Sequence, residues 1–455
     1  MTETLLQRPR TWLARWRAIL PLLAAELVVW LGFGALLPVL PLYFRDHGVD
    51  LAMMGVVIAA WPAARLVAEP AFGWLADRTR RVPLMLAGLV VFSVATFLPL
   101  VLVGPLAFLA LRALAGLATA AYDPSARGYL VDAVPLERRA EAFGIYGAAQ
   151  MGGLLLGPAV GALGAGLVGG YAFVFVFSAL ASVVAAIGVG LFVPELRSSG
   201  PSVRPPAAGI AGLPIDEPVL SEAAGRGLAE PIEPPADAAR RPRTLRNRLL
   251  FATLVIQFGS LYATGVYEVM WSLFLEARGA GLDLIGLTFM MFGIPILVLS
   301  PYAGRLADRR GTVGFVVLGS LVASVAGVLY TIVPEIWMVV PIILLESAGI
   351  AFLGPALFAI VAAGSPLGRS STAQGIFGAA GTLGTIVAAL SAGVLAEVDL
   401  RLPFWVFSAV VLVTLVAGLA IGGRRMAALQ PGAGDQAGPR TPMDEPSAAV
   451  PEAVR

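Results

Sequence analysis

The 455-residue chain is 58% hydrophobic and 13% charged, with a mean hydropathy of +0.85; a charged share about half the usual quarter excludes an ordinary soluble globule. It has no cysteine and one histidine, His47, which excludes disulfides, thiol catalysis and His/Cys metal sites. A net charge of +2, from 31 basic residues that are all arginine against 29 acids, is too small to point to nucleic acid.

In chain order, residues 1–17 carry LLQRPRTWLARWR and read as an amphipathic interfacial segment. The apolar run behind it is too long for a signal-peptide core of about 7 to 15 residues, so it reads as a first, uncleaved membrane helix. It is the first of twelve runs of helical length, at 18–44, 51–76, 82–103, 105–131, 142–167, 170–193, 249–276, 283–306, 313–334, 336–363, 373–398 and 402–422. They predict an all-α membrane protein of two six-helix bundles, 18–193 and 249–422. Residues 194–248, rich in Pro, Ala and charge, read as a disordered linker, and 423–455 as a disordered tail.

Arginines in short loops set the expected orientation. Arg78, Arg80, Arg81, Arg138, Arg139, Arg309, Arg310, Arg369, Arg424 and Arg425 share a side with the N-terminal arginines, and only Arg45, Arg278 and Arg401 lie opposite. Both termini and the linker are therefore expected in the cytoplasm, in a multi-pass protein of the inner (plasma) membrane.

The two bundles are copies. A shift of 231 residues brings Gly55 onto Gly286, Pro70 onto Pro301, and Gly73, Leu75, Ala76, Asp77 and Arg78 onto Gly304, Leu306, Ala307, Asp308 and Arg309. The same ungapped register brings Pro124 onto Pro355, Pro135 onto Pro366, Gly144 onto Gly375 and Gly147 onto Gly378. An even helix count per copy gives parallel topology about an axis along the membrane normal.

Two six-helix halves with Gly-x-x-x-Asp-Arg after the second helix of each resemble the major facilitator superfamily. In the first copy Gly73, Asp77, Arg78 and Arg81 match the family's loop motif, and Arg80 stands where its second glycine falls; in the second, Gly304, Asp308, Arg309 and Gly311 match, and Thr312 replaces the arginine. The resemblance implies loops that brace the second helix against the eleventh, or its twin against the fifth, as the halves rock. In the fifth span, Gly144, Gly153, Gly157, Pro158 and Gly161 resemble the antiporter signature of drug/proton exchangers, with ordinary small-residue packing as the alternative.

Charges inside a bilayer need a partner or a function. The span interiors offer seven candidates: Glu26, Arg65, Glu69, Arg112, Asp123, Glu268 and Glu346. Arg65 and Glu69 are four apart and read as neutralising one another. The other five are four acids and one arginine, and such a surplus favours proton uptake. The resemblance carries coupling roles onto Glu26 and Arg112. The candidate coupling residues are Glu26, Asp123, Arg112, Glu268 and Glu346, with the aromatics Trp61, Tyr122, Tyr262, Tyr267 and Trp271 as substrate contacts or packing. The expected function is proton-coupled antiport of small amphipathic or cationic organic compounds by a monomer needing no cofactor beyond the proton gradient. A transporter of a sugar or organic acid, and a membrane receptor or scaffold, are the alternatives. With no nucleophile-base pair, phosphate loop or metal cluster, the chain is not expected to be an enzyme.

Overall fold

The computed structural model describes residues 16–135, 138–168, 170–195, 244–366 and 369–427. The expected linker and tail lie almost wholly outside the described residues, as does the basic segment before Trp16.

The described chain is helical. In the first half these are α1 (Leu20–Leu36), α2 (Leu40–Asp46), α3 (Leu51–Ala76), α4 (Arg81–Phe97), α5 (Pro105–Ala133), α6 (Arg139–Val168) and α7 (Ala172–Phe192). The second half has α8 (Arg248–Ala277), α9 (Leu282–Arg310), α10 (Val313–Ile332), α11 (Val339–Gly364), α12 (Ser370–Val398) and α13 (Leu402–Ala427). Eleven of these are long and apolar enough to cross a membrane, and α1 with α2 makes a twelfth span bent by 44°. The sequence predicts this first span as one helix. Pro38 and Pro41 explain the break, because each lacks the N–H of the helical ladder and its ring crowds the preceding turn.

Local chemistry fixes the helix ends. Asp50 caps α3 by accepting from the Met53 N–H at 2.7 Å, and Asn247 caps α8 by accepting from the Leu250 N–H at 2.9 Å. Asn247 also donates to the Gly364 carbonyl at 3.0 Å, tying the start of α8 to the end of α11. One face of the bundle carries the ends of α3, α5, α7, α9 and α11 together with the starts of α1 and α8; it is called the terminal face below.

Large apolar side chains cover the outside of the outer helices, among them Leu180 and Val184 on α7, Val325 on α10 and Val413 on α13, as lipid contact requires. Lipid removes the hydrophobic drive for helix association, so close backbone approach and dispersion must hold the halves together. The repeat register is visible in that contact. A Cβ added at Gly55 on α3 would lie 2.2 Å from the Ala389 carbonyl on α12; one added at its equivalent, Gly286 on α9, would lie 3.0 Å from the Pro158 carbonyl on α6. Positions 158 and 389 are themselves equivalent, so the two crossings are copies of one contact.

Both crossings lie toward the opposite face, where one apolar cluster draws Leu36, Tyr43 and Val57 from the first half and Val266, Phe274 and Phe404 from the second. Toward the terminal face the clusters separate. Leu22, Met85, Tyr129 and Val189 pack within the first half, and Val316, Leu357, Phe377 and Leu415 within the second. The paired glycines Gly144, Gly147, Gly375 and Gly378 have open space where a Cβ would stand. Among the described residues, the molecule is closed on the opposite face and parted on the terminal face.

Candidate functional site

The charges within the spans resolve into three arrangements. The first is a neutral cluster between α3 and α5. Arg65 is hydrogen-bonded to Asp123 and lies 3.6 Å from Glu69; Arg127 lies 3.6 Å from Glu69 and 3.9 Å from Asp123. Arg65 thus serves Asp123 as well as Glu69, and Asp123 is not a surplus acid. Arg127 was missed by sequence reasoning because it lies near the end of its span; its i, i+4 spacing from Asp123 was the available signal.

The second arrangement places carboxylates among neutral donors. Glu26 on α1 is fully buried and accepts from the Trp30 indole N–H at 2.9 Å, the Tyr122 hydroxyl at 2.9 Å and the Gln150 amide at 3.1 Å. Glu346 on α11 is equally buried and accepts from the Tyr267 and Tyr330 hydroxyls, both at 2.7 Å. Trp271 packs edge-on against Tyr330 at 4.8 Å and is oriented by donating to the Thr288 hydroxyl at 2.9 Å. Neither glutamate has a cation within 4 Å among the described residues.

The third is a separated pair. Arg112 on α5 is buried, its Nε has no acceptor, and it forms no ion pair among the described residues. Its opposite charge is Glu268 of α8, in the other half, which it attracts without touching. Trp61 stands between two arginines, its ring centre 5.8 Å from the Arg112 guanidinium and 5.5 Å from that of Arg65. Glu26 and Arg112, given a shared role by the resemblance, are not in contact.

Glycines of the antiporter-type motif seat α6 on α1, the helix carrying Glu26. An added Cβ would come within 2.4 Å of the Leu27 carbonyl at Gly153, 2.6 Å of the Leu31 carbonyl at Gly157 and 2.4 Å of the Ala35 carbonyl at Gly161. The Pro158 ring lies against Gly34 of α1 while its carbonyl points to Gly286 of α9, and a Cβ at Gly144 would meet nothing. Of the named aromatics, Tyr122 and Tyr267 serve the two glutamates, while the Tyr262 hydroxyl meets that of Ser391 at 2.6 Å.

In the first loop motif, Arg81 is the hub, 2.9 Å from Asp132 and 3.6 Å from Asp77. Gly128 makes room for it, since a Cβ there would lie 2.6 Å from the guanidinium. Arg78 stacks on Trp74 at 3.9 Å. Glu195, at the end of the first half, accepts from the Arg81 and Val82 N–H groups at 3.0 and 3.3 Å and so caps α4. Gly73 is 3.8 Å from Pro124 by the same Cβ measure, an ordinary contact. In the second motif Gly311 takes a φ of 91°, open to glycine, while the surroundings of Gly304, Asp308 and Arg309 lie outside the described residues.

A duplicated twelve-span bundle with these loops has a sequence profile to match: that described as Major Facilitator Superfamily fits residues 22–267 and 249–445. The chain belongs to the major facilitator superfamily. Among curated proteins it is similar to the quinolone resistance protein NorA of Staphylococcus aureus (strain MRSA252), 30% identical over 134 residues, which is 30% of this chain and 34% of that protein. It is also similar to multidrug resistance protein 2 of Bacillus subtilis (strain 168), 29% identical over 166 residues, 36% of this chain and 41% of that one. The alignments thus span well under half of these relatives. Among solved structures, a bacterial homologue of the human lysosomal transporter Spinster, in an inward-facing and unoccupied conformation, superposes with a TM-score of 0.69 at 15% identity over 91% of this chain and 97% of that one. A POT family transporter in complex with 5-aminolevulinic acid gives 0.70 at 13% identity, over 90% and 96%. At such identities the likeness is one of fold. The chain is a membrane transporter and not an enzyme.

Proposed function

We propose that this transporter is a proton-coupled antiporter that exports small amphipathic or cationic organic compounds by alternating access, with its terminal face in the cytoplasm of a cell whose plasma membrane it spans. The observation that carries the reading is the charge balance left once the Arg65 cluster is set aside: among the described residues inside the spans, buried Glu26 and Glu346 and half-buried Glu268 stand against Arg112 alone. Carboxylates without cations in a low-dielectric interior are most cheaply neutralised by protons or by a cationic substrate, and an interior that exchanges one for the other is an antiporter. The names of the relatives, quinolone resistance and multidrug resistance, support efflux of foreign compounds.

The test uses proteoliposomes with an imposed pH gradient and ethidium as a fluorescent organic cation. Glu26→Gln and Glu346→Gln are each expected to abolish gradient-driven accumulation while equilibrium exchange at equal pH persists. Gradient-driven accumulation at the parental rate removes that acid from the coupling. One observation favours a second reading, transport of an organic acid: the unpartnered Nε of Arg112 beside Trp61. Counterflow against unlabelled carboxylates, lost in Arg112→Gln, separates the two.

A further inference from the structure

The opposite-face ends of α2 and α8 are equivalent under the 231-residue shift, and they end in the same way. Gly48 and Gly279, themselves equivalent, take φ of 83° and 86°. Behind them the Val49 N–H reaches the Phe44 carbonyl at 3.1 Å and the Ala280 N–H reaches the Leu275 carbonyl at 3.0 Å, one helix cap written twice. The caps fix where the last helical turn points. In that turn the copies differ in charge: Arg45 in the first half, Glu276 in the second.

These two equivalent residues meet across the halves. The Arg45 guanidinium grips the Glu276 carboxylate with two nitrogens, Nη1 to Oε2 and Nη2 to Oε1, the latter at 3.1 Å. Equivalent positions of a duplicated bundle meet only close to its axis, and where they do, as here, the same charge in both copies would repel itself. Helix stability does not explain the acid either, because a carboxylate in a last turn opposes the helix dipole. Arg45 has a second partner within its own half, Asp46, at 2.8 Å.

We propose that Arg45 and Glu276 form a charge latch on the pseudo-twofold axis, which favours the state closed on the opposite face and parts in each transport cycle, leaving Arg45 with Asp46. The two side chains are 39% and 31% exposed. A pair so wet tips a balance rather than locking it, and a shift of about fivefold in the ratio of the two states is its scale. The apolar cluster beneath supplies the rest of the closure.

The latch needs only the rocking of a superfamily transporter. It does not depend on proton coupling or on the substrate, and its test uses neither. The chain has no cysteine, so Ala389→Cys gives a single thiol at a fully buried position whose carbonyl abuts Gly55 of the other half. The rate at which a maleimide labels this thiol, in full-length protein in nanodiscs, reads the open fraction of the opposite face. Arg45→Ala and Glu276→Ala are each expected to raise it about fivefold, and the double variant no further than either single. Raising salt to about 1 M should accelerate labelling with the pair intact and not in the double variant, an arm that needs no variant of the latch to show its main effect. Singles at the parental rate, a double that multiplies the two single effects, or the same salt response with and without the pair would each overturn the latch.

Discussion

Asp123 and Glu346 are both buried acids on inner helices, yet one is neutralised by a guanidinium and the other is solvated by two phenols. The difference predicts opposite sensitivities. Removing one partner of a buried ion pair strands the other, at about 3 kcal/mol or more. Arg65→Met is therefore expected to lower thermal stability in detergent by about that amount, and Arg65→Met with Asp123→Asn to recover most of it; equal melting of single and double variants would mean that the cluster's remaining arginine, Arg127, already neutralises Asp123. Sequence alone made the acids legible, because a charge inside an apolar run is conspicuous whatever the fold. Their partners were not legible. Glu26 depends on Tyr122 and Gln150 from α5 and α6, and Glu346 on Tyr267 and Tyr330 from α8 and α10. Only the folded arrangement of those helices decides that Asp123 finds an arginine and Glu26 does not.

At the scale of elements, the glycines of α6 divide by what they touch. Gly157 lies against the α1 backbone, where a side chain has no room to yield, and Gly144 faces open space. Gly157→Leu is expected to destabilise the protein by at least the roughly 1–3 kcal/mol typical of overpacking, whereas Gly144→Leu should leave the melting temperature nearly unchanged. Thermal melts of the two variants check the contrast, and equal stability would detach the stripe from helix seating. The register of the repeat was readable without coordinates, since Gly and Pro are kept where backbone approach or a helix end demands them. The bend between α1 and α2 was not, because a proline inside an apolar run is also compatible with a continuous, kinked membrane helix.

Across the whole molecule, glycines report which face is shut. On the opposite face Gly55, Gly286 and Gly393 are pressed against the other half, while Gly147 and Gly378 on the terminal face have no neighbour. A rocking transporter must exchange these conditions, and the two ends of α12 make the exchange testable within one helix. Leucine at Gly378 meets nothing in this state and raises helix propensity, so stability should hold. The side chain would then stand where the terminal-face ends of the halves must meet, so Gly378→Leu is expected to bind substrate and fail to turn over. In the Ala389→Cys background, its thiol should be labelled more slowly than in the parent. Leucine at Gly393 does the reverse. Its Cβ would come 2.2 Å from the Leu51 carbonyl of the other half, so Gly393→Leu should pry the opposite face apart and label that thiol faster. If both substitutions move the labelling rate in the same direction, the two faces do not open in alternation, and the contacts described here belong to a rigid bundle.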